Sequence, residues 1–144
     1  MANTAALLVH LLTIKRSIIE DTNMQVFYSN QLDKNSAKLA VQTKAETKWQ
    51  KAYDDFMDPS KKINKYGFNY DKDTTRTEAV AEQYAQAAAK EYDEELMLEL
   101  EELDIQYDTM KSYYDTMLQK ENADKDAVEQ AVEKAASDTG RLGS

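Results

Sequence analysis

The stretch Leu96–Met117, LMLELEELDIQYDTMKSYYDTM, decides the fold. Leu96, Leu103, Met110 and Met117 recur every seven residues, and Leu100, Tyr107 and Tyr114 interleave four residues later. Two seven-spaced rows offset in this way share one face of an α-helix, which is the pattern of a coiled-coil or bundle seam. Ala89 extends the row upstream, and Val128, Ala131 and Ala135 resume it downstream. Between them Glu121-Asn122-Ala123-Asp124 interrupts the apolar phase. Thr75-Arg76-Thr77-Glu78 reads as a capping box, in which Thr75 accepts from the third backbone amide and Glu78 reaches back. The spacing therefore predicts a long second helix over about residues 75–136 and a flexible tail over 137–144.

The N-terminal half repeats the pattern less cleanly. One row runs through Leu11, Ile18, Gln25, Leu32, Leu39, Glu46 and Tyr53, and its companion through Ile14, Asp21, Tyr28, Asn35, Gln42, Trp49 and Phe56. They predict a first helix over about 4–57, capped at Asn3 or Thr4. Asp33-Lys34-Asn35-Ser36 is rich in residues that compete for backbone hydrogen bonds and is a candidate break. Asp58-Pro59 ends the helix, because proline disfavours the α conformation in the residue before it. The loop 58–74 follows. The fold class expected is all-α: a single helical domain over 1–144, forming a long antiparallel, coiled-coil-like helical hairpin or, if the helices break, a three- or four-helix bundle.

The start of the first helix differs from the rest. Leu7, Leu8, Val9, Leu11, Leu12 and Ile14 surround most of its circumference, and a helix apolar all round needs cover on several sides. One antiparallel neighbour cannot supply that cover. The expected assembly interface is therefore Leu7, Leu8, Leu11, Leu12, Ile14, Ile18 and Ile19 from the first helix. The second contributes Leu96, Leu100, Leu103, Tyr107, Met110 and Tyr114. In the loop, Lys61, Lys62, Tyr66, Phe68 and Tyr70 join positive charge to aromatic rings and form a candidate contact. Equally, those rings can fold back on the end of the hairpin.

Charge is unevenly spread. The chain of 144 residues carries a net charge of −9. Residues 1–57 hold seven basic and six acidic side chains, and residues 73–144 hold seven and nineteen. An acidic chain with no basic stripe is a poor nucleic-acid ligand, since phosphate neutralisation dominates that affinity. The acidic C-terminal half is expected to face a less acidic partner, of which the N-terminal half is the nearest.

Chemistry-bearing motifs are sparse. Cysteine is absent, which removes disulfides and thiolate sites. His10 is the single histidine, set among leucines, and reads as an ordinary interface or core residue. Glu91–Asp108 holds nine acidic residues and no basic one, but without the Glu-x-x-His of di-iron bundles it reads as a solvated or partner-facing stripe. Asp71-Lys72-Asp73-Thr74-Thr75-Arg76 opens like a calcium loop, then places Arg76 where glycine is needed. There is no phosphate loop or nucleophile motif. Neither an enzyme nor a cofactor is expected. The apolar run at Ala5–Ile14 is too short for a bilayer span, and its basic residues Lys15 and Arg16 follow it, unlike a signal peptide. A cytoplasmic location and export without a cleaved signal both fit.

The Asn3-Thr4-Ala5-Ala6-Leu7-Leu8 start, the apolar Leu7–Ile19 run and the paired heptad helices around a central break resemble the axial subunits of bacterial secretion and flagellar-type filaments. That resemblance implies a structural subunit whose N- and C-terminal helices enter a shared helical core. It departs at Val128–Ala136, which is only mildly apolar where those subunits have a strongly apolar helix end. The expected function is a self-assembling structural subunit of an extracellular or secretion-type filament or particle. The other reading is a compact acidic adaptor or chaperone-like module. The expected partner is the chain itself or another helical protein.

Overall fold

A computed structural model describes residues 4–63, 66 and 76–142, with side chains to residue 138. The protein is all-α. Among the described residues there are three helices: α1 over Thr4–Met57, α2 over Glu78–Ala88 and α3 over Glu94–Leu142. Thr4 is the first residue of α1, and Asn3 lies outside the described residues. The chain divides into two compact units. One comprises residues 1–33 and 105–144, the other residues 34–104.

In the first unit α1 and α3 run antiparallel. Asp21 faces Glu121, Gln25 donates to Asp115, and Tyr28 lies against Tyr107 and Tyr114, so partners descend α3 as α1 ascends. The seam buries Leu11, Ile14, Leu118 and Ala135 and half-buries Leu7, Ile18, Met110, Met117, Val128 and Ala131. Its middle is aromatic, with Tyr28 stacked on Tyr114 at a centroid distance of 5.9 Å. The helix continues through Glu121–Asp124, because Glu121 holds the seven-spaced position between Tyr114 and Val128. It also continues to Leu142 rather than fraying from 137, since an uninterrupted seam carries it as far as buried Ala135.

The second unit is built around a small-residue core. Ala52, Phe56, Ile63, Ala81, Tyr84 and Ala85 are at most 3% exposed, with Trp49, Tyr53, Val80 and Ala88 against them. Alanines at the contact allow two helices to approach closely, and the rings of Phe56 and Tyr84, 5.4 Å apart, fill the remaining space. Asn35 sits inside α1 rather than breaking it. Its buried amide donates to the Leu100 carbonyl at 2.7 Å, so a polar residue is tolerated because it is paired.

The helix expected over 75–136 is two helices. Thr77, not Thr75, caps α2, its hydroxyl accepting from the Val80 amide at 3.3 Å; Thr75 lies outside the described residues. The helix stops at Ala89, and Asp93 caps α3 by accepting from the Leu96 amide at 3.1 Å. Glu94 and Glu95 then meet the positive end of the α3 dipole. The bend needs no glycine because Gln42 clamps it. Its amide donates to the Glu91 carbonyl and accepts from the Asp93 amide, both at 2.9 Å.

The α1 seam also departs from strict heptads. Glu46 is exposed, whereas Ala45 is 1% and Ala52 3% exposed. The companion row Asn35, Gln42, Trp49 and Phe56 keeps its sevens, and Ala45 and Ala52 are buried beside it; Ala52 packs with Ala81, Tyr84 and Ala85 of α2, so the buried face of α1 widens toward the side that α2 covers.

Candidate assembly interface

The residues expected at an interface fall into two groups. Leu11, Ile14 and Leu100 are buried within the chain itself, and Leu7, Ile18, Leu103, Tyr107, Met110 and Tyr114 are half-buried there. Leu8, Leu12, Ile19 and Leu96 are exposed, at 45%, 65%, 62% and 39%. Leu96 is exposed because the α3 seam turns toward Met97 and Leu100 at that end. His10 is exposed on α1.

The exposed apolar residues are not scattered. On α1, Leu12, Ile19 and Val26 are seven apart, and Leu8 lies one turn before Leu12. They form a second row, on a different face of the helix from the seam row Ile14, Asp21, Tyr28. Exposed single leucines are ordinary, but a seven-spaced outward row repeats the geometry by which helices bury one another. Lys15 and Arg16, both exposed, occupy the gap between Leu12 and Ile19. From Thr4 to Ile19 no acidic residue accompanies them.

On α3, Leu98 and Ile105 are also seven apart, and they are 55% and 68% exposed. Glu101 and Glu102, both exposed, occupy the gap between them, and Glu94 and Glu95 stand one turn before Leu98. Sequence reading picks out the α3 acidic stripe and leaves Leu98 uncovered by the seam, but it does not pair Leu98 with Ile105 as a row. Counting Leu98 and Ile105 from each other, rather than from Leu96, would have found it.

The loop residues divide as well. Lys61 and Lys62 are exposed, and Lys61 lies 3.8 Å from Asp55. Ile63 is buried under α2, and Tyr66 sets its ring edge-on to Tyr84 at 5.6 Å, with φ at 61°. This left-handed conformation is uncommon for an aromatic residue. Phe68 and Tyr70 lie outside the described residues. Arg76, not singled out for this role by its sequence, turns its guanidinium to the carbonyls of Phe56, Asp58 and Lys61. It thereby caps the C-terminal end of α1, whose last carbonyls lack helical partners. Ser60 donates through its amide and hydroxyl to the Asp58 carboxylate at 3.0 and 2.8 Å, which holds that carboxyl below its ordinary range.

One seam position is electrostatically unusual. Burial first, then a hydrogen bond with Asp21 and the charges of Asp21 and Asp124, push the Glu121 carboxyl up to about 7. Its Oε2 is buried without a hydrogen-bond partner. Among the described residues, no group of three His, Asp or Glu side chains is placed to hold a metal ion, and no helix is long and apolar enough to cross a membrane. Comparison of the chain with protein-family models, curated proteins and solved structures returns no match.

Proposed function

We propose that the chain is a self-assembling structural subunit whose outward helical rows are covered by other copies of itself, in an extracellular or secretion-type filament or particle. The observation that carries this reading is the exposed row Leu12, Ile19 and Val26 on α1, with Leu8 beside it. An outward apolar row repeated at seven-residue spacing is the arrangement by which one helix packs on another. The seam side of the same helix is already satisfied within the chain, by Leu11 and Ile14. On α1 the outward side, where Val9 and Phe27 are exposed as well, is left for other copies.

Light scattering coupled to size exclusion, with negative-stain microscopy of the same sample, tests the proposal. Particles larger than the chain are expected, and Leu12→Asp is expected to reduce them to monomers. Leu11→Asp would instead strike the chain's own seam, where Leu11 is buried. A compact monomer at all concentrations overturns the proposal. That outcome favours an acidic adaptor, a reading supported by the exposed carboxylates of Glu94, Glu95, Glu99, Glu101 and Glu102. A basic helical peptide would then bind in a salt-sensitive manner.

A further inference from the structure

Two segments of the chain carry the same pattern with opposite charge. Residues 12–19 read Leu-Thr-Ile-Lys-Arg-Ser-Ile-Ile, and residues 98–105 read Leu-Glu-Leu-Glu-Glu-Leu-Asp-Ile. In both, the first and eighth residues are exposed apolar side chains, at 65% and 62% in one and 55% and 68% in the other. In both, the third residue turns inward and is buried: Ile14 at 8% and Leu100 at 4%. In both, the fourth and fifth residues are exposed and charged, Lys15-Arg16 in one and Glu101-Glu102 in the other.

We propose that these two octads recognise each other between copies, the Leu12–Ile19 row of one chain docking against the Leu98–Ile105 row of the next. The inference rests on the self-assembly reading above and names its interface. The argument is geometric before it is electrostatic. Knobs seven residues apart on two helices match each other's holes. A charged pair at the centre of each interval meets its counterpart whether the helices cross parallel or antiparallel. Pairing either octad with itself would set Lys15-Arg16 against Lys15-Arg16, or Glu101-Glu102 against Glu101-Glu102, and like-charge juxtaposition selects against a wrong partner. Val26 extends the first row by one heptad, and Glu94 and Glu95 lengthen the acidic margin of the second.

The consequence is the form of the assembly. Each copy offers two different patches, so the pairing either closes reciprocally on one partner as a two-fold dimer or runs on to further copies as a ring or filament.

The test uses two singly blocked full-length chains. Ile19→Asp disables the first row and leaves the second intact, and Leu98→Asp does the reverse. Both positions are exposed, and circular dichroism should show wild-type helicity in both variants. Each alone is expected to be monomeric by light scattering, while an equimolar mixture gives a dimer and nothing larger. Charge exchange supplies a second arm. Lys15→Glu with Arg16→Glu is expected to abolish assembly, and adding Glu101→Lys with Glu102→Lys is expected to restore it. If wild type assembles but Leu98→Asp assembles equally alone, or the four-fold exchange stays monomeric, the octad pairing is wrong and self-assembly stands through another face. If wild type is monomeric throughout, both fall together.

Discussion

In the second unit, helix contact rests on alanine and on two rings with almost no exposure. In the first, two long helix segments meet along a seam that also holds Asp21, Gln25, Asp115 and Glu121. The second unit has a satisfied interior: Phe56 and Tyr84 are buried, Asn35 and Gln42 spend their amides on backbone groups, and Arg76 closes the end of α1. The first unit buries little among its described residues beyond Leu11, Ile14, Leu118 and Ala135, and it exposes Leu8, Leu12, Ile19 and Val26. The difference shows where each unit draws its stability. The second is supported by its own core, although it too exposes Val41 and Leu98, while the first rests on a thinner seam.

The largest expected effect lies in the core of the second unit. Phe56→Ala removes a side chain with no exposed surface, and truncations of this kind cost about 3–5 kcal/mol. The single tryptophan, Trp49, lies against this cluster, so its fluorescence during denaturant unfolding reads the loss where it occurs. A midpoint unchanged by Phe56→Ala would remove the contrast between the units. The matching truncation at exposed Ile19 is expected to leave the midpoint of the isolated chain nearly unchanged.

Gln42→Leu should come next. Leucine fills the space but leaves the Glu91 carbonyl and the Asp93 amide without partners. Both belong to exposed residues that water can reach, so the cost is that of the lost hydrogen bonds, about 0.5–1.5 kcal/mol each. Gln42→Glu keeps the acceptor for the Asp93 amide and loses the donor to the Glu91 carbonyl, so it separates the two halves of the clamp. Hydrogen exchange at Asp93 is expected to rise in the leucine variant and to stay slower in the glutamate variant.

The clamp also marks the limit of what the residues reveal by themselves. The all-α class, the helix ends near Thr4 and Met57, and most seam residues follow from seven-residue spacing and from Asp58-Pro59. The bend at Ala89–Asp93 did not, because no glycine or proline marks it and Ala89 fits the heptad phase. Its local signal was Asp93 followed by Glu94 and Glu95, a helix start placed inside an apparent helix. What selects the bend is Gln42, fifty-one residues away, through bonds that no local pattern encodes. The burial of Ala45 and Ala52 was hidden for a related reason: α2, whose Ala81, Tyr84 and Ala85 pack with Ala52, covers a flank of α1 outside the seam row. For the interface, the octad at 98–105 was legible in the sequence, but only exposure separates Leu98 and Ile105 from the seam residues beside them.

The seam of the first unit should respond to pH in the direction opposite to its neighbour. The Glu121 carboxyl titrates near 7 in the folded chain against an ordinary value of 4.5. Between those values the folded state holds the extra proton. Stability from this position is therefore greatest below about 4.5 and is lost as the pH rises toward 7. Glu121→Gln is neutral throughout, so it should melt higher than wild type at pH 8 and coincide with it near pH 4.5. A gap of equal size at both pH values would show that Glu121 is not the titrating group. Asp58 and Glu91 have the opposite sign, being held below their ordinary values, and they favour the folded second unit less as acid is added.

The smallest effect sharpens the same contrast at the bend itself. Lys48 approaches Glu91 at 3.5 Å, but their side chains are 65% and 47% exposed. Pairs of that kind contribute about 0–1 kcal/mol and weaken with salt. The Glu91 carboxyl is lowered first by a hydrogen bond from its own backbone amide, and Lys48 enters only after that. Lys48→Met should therefore leave the unfolding midpoint nearly where it was, and any small loss should vanish at high ionic strength. If Lys48→Met instead matched Gln42→Leu in cost, the bend would be held by surface charge rather than by the buried amide. The second unit would then be sensitive to salt in the way expected only of the contact between octads.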